Sequence, residues 1–301
     1  MALLADDDDS AADLPPTEMI YYTYEGNFQL VCDAKIVACD FIDGASDGDE
    51  TERREVKVSL NRTVLYAQGG GQPTDIGTIE ISGCGENGEE KTDMSVTKVL
   101  LDRTTGVASH TGTIESKDLP PSVLSWIGKN VKVSVHADNR RVLSECHTAG
   151  HLVDTAMNQC KTMMLPTKAY HFLEGPYVEY KGKIPAEERG PLLEKLQASF
   201  QDMVATDIPT EINSVPRPEA EELCNREAGG EDYFKLRQTF REDETVRIVS
   251  VAGLPVPCGG THVKSTGELK GRKWGITGFR CKKGVVRVKY CQDWNQDKCA
   301  K

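Results

Sequence analysis

Two residue pairs far apart in the chain constrain its fold more than any other feature: CHTAGHLVDTA at 146–156 and PCGGTHV at 257–263. On a helix, His147 and His151 stand at i and i+4, with side chains roughly 5–6 Å apart on one face. Taken alone this spacing is weak, and two polar residues in register is the plain alternative. Cys258 and His262 share the spacing in a loop, where Gly259 and Gly260 let the backbone fold tightly so that both side chains face inward. A core cysteine beside a surface histidine is the alternative there. Together the pairs form a set of three nitrogens and one sulfur, which tetrahedral zinc accepts readily. An ion held by all four would tie a helix to a terminal sheet about a hundred residues away. A zinc protease of the HExxH kind needs a glutamate after the first histidine, and Thr148 stands there instead.

The surrounding pattern divides in two. From about 19 to 136 the chain is β-rich, with LVCDAKIVACDFID, EVKVSLNRTVLYA, IGTIEIS and KVSV separated by glycine-rich and acidic loops. Short strands at this spacing predict a small β-barrel or curled sheet. From 137 to 301 the pattern predicts an α+β domain, with helices laid on an antiparallel sheet. Its helices are a stretch from Asn139 to about Met164, PAEERGPLLEKLQASFQDMVA and RPEAEELCNRE, and its strands include TVRIVSVAG, GITGFRCKK and GVVRVKY. Residues 1–18, with four aspartates and Pro15-Pro16, read as a disordered acidic tail.

MALLADDDDS has neither the basic start nor the long apolar stretch of a secretory signal, and no run is apolar and long enough to cross a bilayer. A cytoplasmic protein with reduced thiols is the expectation. The net charge of −11 argues against a nucleic-acid partner until its distribution is considered. From residue 264 onward eleven basic residues face three acidic ones, and a ligand feels the local field. A solvated lysine-rich face explains that bias almost as well.

The stretch LNRTVLYAQGGGQPTDIG, 60–77, joins two strands through three glycines and a proline. No Gly-Lys-Ser/Thr follows, so it is not a phosphate loop. It can be a long hairpin connection and nothing more, yet Thr63 and Gln72 bring a hydroxyl and an amide of the kind that orient a small polar ligand.

HTAGH, CGGTH and the Thr63-to-Gly77 string, in this order and behind a β-rich domain, resemble the alanyl-tRNA editing proteins (AlaX), free-standing relatives of the editing region of alanyl-tRNA synthetase. The likeness runs from about Leu30 to Tyr290. It implies a zinc-dependent hydrolase that removes a wrong amino acid, serine or in some members glycine, from tRNA(Ala). Carried over by motif, His147, His151, Cys258 and His262 hold zinc and act through it, and Thr63 and Gln72 lie near the aminoacyl group. Where that family usually has a bulkier residue, Gly150 is expected to leave room beside the metal for the tRNA end, with close helix packing as the alternative. Leu65-Tyr66-Ala67 also departs from the family's aromatic-Tyr-Pro. Arg272, Lys273, Lys282 and Lys283 are the expected grip on the acceptor stem. The synthetase's oligomerisation region has no counterpart here, so a monomer is expected. His110, His136 and His171, lacking spaced partners, read as surface or satisfied core residues, and Cys146 is expected to point away from His147. The rival reading is a zinc-stabilised RNA-binding or regulatory protein without catalysis.

Overall fold

The computed structural model describes residues 14–42, 53–82, 91–115, 122–230 and 232–295. Its chain forms an N-terminal barrel and an α+β part, in two compact units. Residues 22–28 and 69–73 cluster with the second unit, although they precede the main division between His136 and Ala137.

The first unit holds β1 (Glu18–Met19), β2 (Val31–Phe41), β3 (Arg53–Leu60), β4 (Arg62–Thr63), β5 (Gly77–Ser82), β6 (Lys91–Leu101), β7 (Ala108–Glu115) and β8 (Asn130–Val135). Six of them close into a barrel in the order β2-β3-β7-β6-β5-β8, every neighbouring pair antiparallel. Alternation drives the closure: Val56, Val58 and Leu60 on β3, Ile79 and Ile81 on β5, and Val131 and Val133 on β8 share one core with Trp126. Closure leaves no unpaired strand edge in this sheet. The strand expected to run on to Ala67 stops at Leu60. Residues 1–13 of the expected acidic tail lie outside the described residues, whereas Thr17 is buried and its hydroxyl joins Leu60 O and Ala108 N.

The second unit contains α1 (Tyr24–Asn27), α2 (Ala137–Gln159), β9 (Leu165–Tyr170), β10 (Tyr177–Lys181), α3 (Ala186–Thr206), β11 (Glu211–Pro216), α4 (Arg217–Glu227), β12 (Thr245–Val251), β13 (Leu254–Pro257), β14 (Gly275–Lys282) and β15 (Val285–Cys291). Its strands form a three-stranded sheet, β11-β12-β13, and a four-stranded sheet, β14-β15-β10-β9. Leu152, Val153 and Ala156 of α2, Leu196 and Phe200 of α3, and Val178, Val286 and Val288 of the larger sheet form its core. Helix α2 is sheathed by these layers, so its polar residues from Ser144 to Thr155 are mostly buried and each needs a partner. No helix among the described residues is long and apolar enough to cross a membrane.

Candidate metal centre

Helix α2 presents His147 and His151 on one face, with ring centroids 5.0 Å apart. The loop after β13 brings Cys258 and His262 to the same place. Cys258 Sγ lies 3.5 Å from His147 Nε2 and 3.3 Å from His262 Nε2. The His262 ring is 4.4 Å from that of His147 and 4.6 Å from that of His151. One ligand atom from each of the four residues falls within 4.8 Å of all the others. Tetrahedral bonds of about 2.3 Å to sulfur and 2.0–2.1 Å to nitrogen hold the two atoms about 3.5 Å apart. The two distances from Cys258 Sγ are those of ligands around one ion, and this cluster could hold a metal.

Electrostatics agrees with that reading. Burial, then the neighbouring cationic and imidazole groups, holds His147 and His262 well below the usual histidine range and His151 down at about 3. Neutral imidazoles are the form a metal binds. Burial pushes the Cys258 thiol up, against the pull of Arg247 and of the Gly260 N–H on its sulfur. His151 Nδ1 is buried without a hydrogen-bond partner. An orphaned ring nitrogen is costly in a dry interior unless an ion sits nearby.

The ligands are held by a second layer of contacts. Gln72 Oε1 accepts from Thr261 N–H at 3.0 Å, which fixes the amide's orientation, and Gln72 Nε2 donates to Thr261 Oγ1 at 2.8 Å. His147 Nδ1, 2.6 Å from the same Oε1, therefore carries the proton and leaves Nε2 free to face Cys258. Thr148, standing where a protease has its glutamate, accepts from Val263 N–H and lies 3.1 Å from His262 Nδ1. Asn27 grips the backbone of His262 on both sides, donating to its carbonyl at 2.8 Å and accepting from its N–H at 3.0 Å. A Cβ on Gly260 would overlap the His147 ring, so the second glycine of CGGTH lets helix and loop approach. The GGGQ turn closes by reciprocal Gly69–Gln72 bonds, and Gly71, at φ +83°, takes the His171 N–H on its carbonyl at 2.8 Å.

Three motifs distant in sequence thus meet at one cluster. The chain is similar to alanine–tRNA ligases. It is 28% identical over 247 residues to the ligase of Caulobacter vibrioides, covering 78% of this chain and 25% of that protein. The figures are 28% over 271 residues for Natronomonas pharaonis (88% and 25%) and 29% over 294 residues for Halobacterium salinarum (94% and 27%). The chain therefore spans about a quarter of the length of these alanine–tRNA ligases. No protein-family model matches it.

The other candidate of the glycine-rich string falls elsewhere. Thr63 belongs to the first unit and is fully buried. His110, on β7, has Nδ1 3.1 Å from Val58 O and Nε2 2.9 Å from Thr63 Oγ1. A carbonyl can only accept, so Nδ1 carries the proton, Nε2 accepts, and the Thr63 hydroxyl donates to it. Burial lowers His110 to about 4, which keeps the ring neutral. Thr63 Oγ1 also accepts from Leu65 N–H. Of the two expectations for His110, surface or satisfied core, the structure shows the second.

Gly150 requires a correction. The room left by its missing side chain is filled, because a Cβ there would overlap the His171 ring and lie 2.8 Å from Tyr290 Oη. Close packing replaces the expected space for a tRNA end. His171 itself is buried, as a satisfied core residue would be: its Nδ1 lies 2.6 Å from Tyr290 Oη, but its ring is also 4.2 Å from that of His147. Sequence spacing missed this second role, and with it Tyr290, Thr148, Thr261 and Asn27. Cys146 points to His171 O rather than to the cluster. Among the basic candidates, Arg272 pairs with buried Glu145 at 3.2 Å, while Lys273, Lys282 and Lys283 are exposed.

Proposed function

We propose that the chain is a zinc-dependent aminoacyl-tRNA deacylase of the AlaX kind, a monomer of the cytoplasm that acts in trans. Its substrate is mischarged tRNA(Ala), chiefly Ser-tRNA(Ala) and also Gly-tRNA(Ala). The observation that carries the reading is the meeting of His147, His151, Cys258 and His262 with Gln72 of the glycine-rich turn. The similarity to alanine–tRNA ligases supports the tRNA class.

An aminoacyl ester is already activated, so its hydrolysis asks for a held carbonyl and a positioned water more than for a strong base. Zinc held by the four ligands supplies a Lewis acid, or a template for the polar end of the aminoacyl group. The chain's own residues do the rest. Gln72 and Thr148 orient the rings of His147 and His262, Asn27 fixes the loop, and burial keeps the imidazoles neutral.

Selectivity follows from hydroxyl chemistry. A synthetase pocket cannot strongly exclude serine from an alanine site, since serine only adds a hydroxyl. Because the Thr63 proton is committed to His110 and one lone pair to the Leu65 N–H, what Thr63 would offer the seryl O–H is its second lone pair. Loss of that added hydrogen bond when alanine arrives costs about 0.5–1.5 kcal/mol, some 2- to 10-fold in preference.

One observation favours the rival, a metal-stabilised RNA binder: the Thr63 hydroxyl and the Gln72 amide both have internal partners. Hydrolysis of Ser-tRNA(Ala) by zinc-loaded protein, with and without chelator, separates the two. Chelator-sensitive release of serine is the expected result. Absence of release with tRNA binding retained would establish the rival.

A further inference from the structure

The four-stranded sheet of the second unit has one face in the core and another that the metal centre does not use. The core face carries Val178, Tyr180, Val286, Val288 and Tyr290. Strand alternation and register put Lys168, Lys181, Arg280, Lys282, Arg287 and Lys289 on the opposite face. Glu179 shares that face, and its carboxylate already accepts from Arg287 Nε at 2.7 Å and from the Thr167 hydroxyl at 3.0 Å. Lys181, Arg280, Lys282 and Lys289 have no ion-pair partner among the described residues.

Protection of sheet edges explains lysines on β9 and β14, the outer strands. It does not explain Arg287 and Lys289 on the inner strand β15, nor Arg280 placed directly opposite Arg287. Glu179 offsets Arg287, which leaves Arg280 and Lys289 as the uncompensated cations on either side of it, and an anionic partner would meet their charge.

A row of π-systems stands on the same face. Tyr170 stacks on Phe172 at 4.6 Å and 15°, and on Tyr177 at 5.5 Å and 19°, and the Arg287 guanidinium lies 4.6 Å from the Tyr177 ring. All four side chains are partly exposed. The rings stand stacked face to face, the geometry in which unpaired bases join a ring row while their phosphates meet the cations.

We propose that this face binds single-stranded RNA, its phosphates on the β14–β15 cations and a base stacked at the Phe172 end of the ring row. The inference extends the tRNA reading above but does not require catalysis. A fluorescent single-stranded RNA of about a dozen nucleotides, within the range one small domain covers, is titrated with the full chain between about 50 and 200 mM salt. Arg280→Glu with Lys289→Glu is expected to weaken binding by more than about tenfold and to flatten the log–log salt slope by one to two. Phe172→Ala is expected to weaken binding by about fivefold or more with the slope unchanged. Unchanged affinity in variants that melt like the parent overturns the proposal. So does binding to phosphatidylserine vesicles that outcompetes the RNA and is lost in the charge variant. If the parent binds RNA and the variants do not, yet no deacylation of Ser-tRNA(Ala) is seen, the catalytic reading fails and this one stands.

Discussion

Gln72 Oε1 and His147 Nδ1 lie 2.6 Å apart, joining a turn and a helix 75 residues distant in sequence. The bond decides which nitrogen of His147 is free, so Gln72 sets the tautomer of a candidate metal ligand. Outer-shell partners of this kind are worth about 10- to 100-fold in metal affinity. Gln72→Ala should weaken zinc binding by that factor, read by competition with a chromophoric chelator, while the apo proteins share their circular dichroism spectrum. Equal affinities would mean that the ring is oriented by packing alone.

Gly150→Ala sets two effects against each other. Alanine should gain about 0.5–1 kcal/mol as a helix former. Its Cβ meets the His171 ring and Tyr290 Oη, and overpacking of this kind costs about 1–3 kcal/mol. The collision wins if His171 cannot shift, so the expected outcome is a lower melting temperature and weaker zinc binding through the adjoining His147 ring. A stabilised variant would show that His171 moves freely.

Thr63→Val removes the hydroxyl that His110 Nε2 accepts from and leaves a buried ring nitrogen alone. A loss of about 1–3 kcal/mol in denaturant unfolding is expected, with Thr63→Ser close to the parent. The same pair tests selectivity. Valine should bring the rates on Ser-tRNA(Ala) and Ala-tRNA(Ala) closer together and serine should not. A valine variant with the parental ratio would remove Thr63 from substrate recognition.

Asp154, one turn past His151, is pushed up to about 7 by burial, against a hydrogen bond from the Tyr180 hydroxyl. The folded chain thus holds a proton that the unfolded chain releases above 3.8. Where the native state binds more protons, stability falls as pH rises. The parent should lose stability relative to Asp154→Asn between about pH 4 and 7, with parallel curves above that window. Denaturant midpoints of both proteins across this range check it, and parallel curves throughout would mean the carboxyl is already ionised.

Local signals were legible in the sequence and long-range ones were not. RPEAEELCNRE is α4 residue for residue, because a proline start and helix formers act within a single turn. The stretch expected to run to Met164 ends at Gln159 instead, where Lys161 takes φ +58° and the Thr162 hydroxyl turns back onto Met157 O. The i,i+4 spacing exposed the ligand pairs. His171 gave no such signal, since its contacts with Gly71, Gly150 and Tyr290 arise only once the strands have assembled. Strand order was hidden for the same reason: β5, β6 and β7 follow as hairpins, but nothing local tells β3 to pair with β7.

The second unit draws Asn27 and Gln72 from stretches upstream of its own helix-and-sheet body. A clone beginning at Ala137 would carry all four donor side chains and still lack the clamp on His262 and the partner of His147. Chimeras exchanged with relatives must therefore transplant three separate stretches together, and a crossover at the apparent boundary should yield a poor zinc chelator however well it folds.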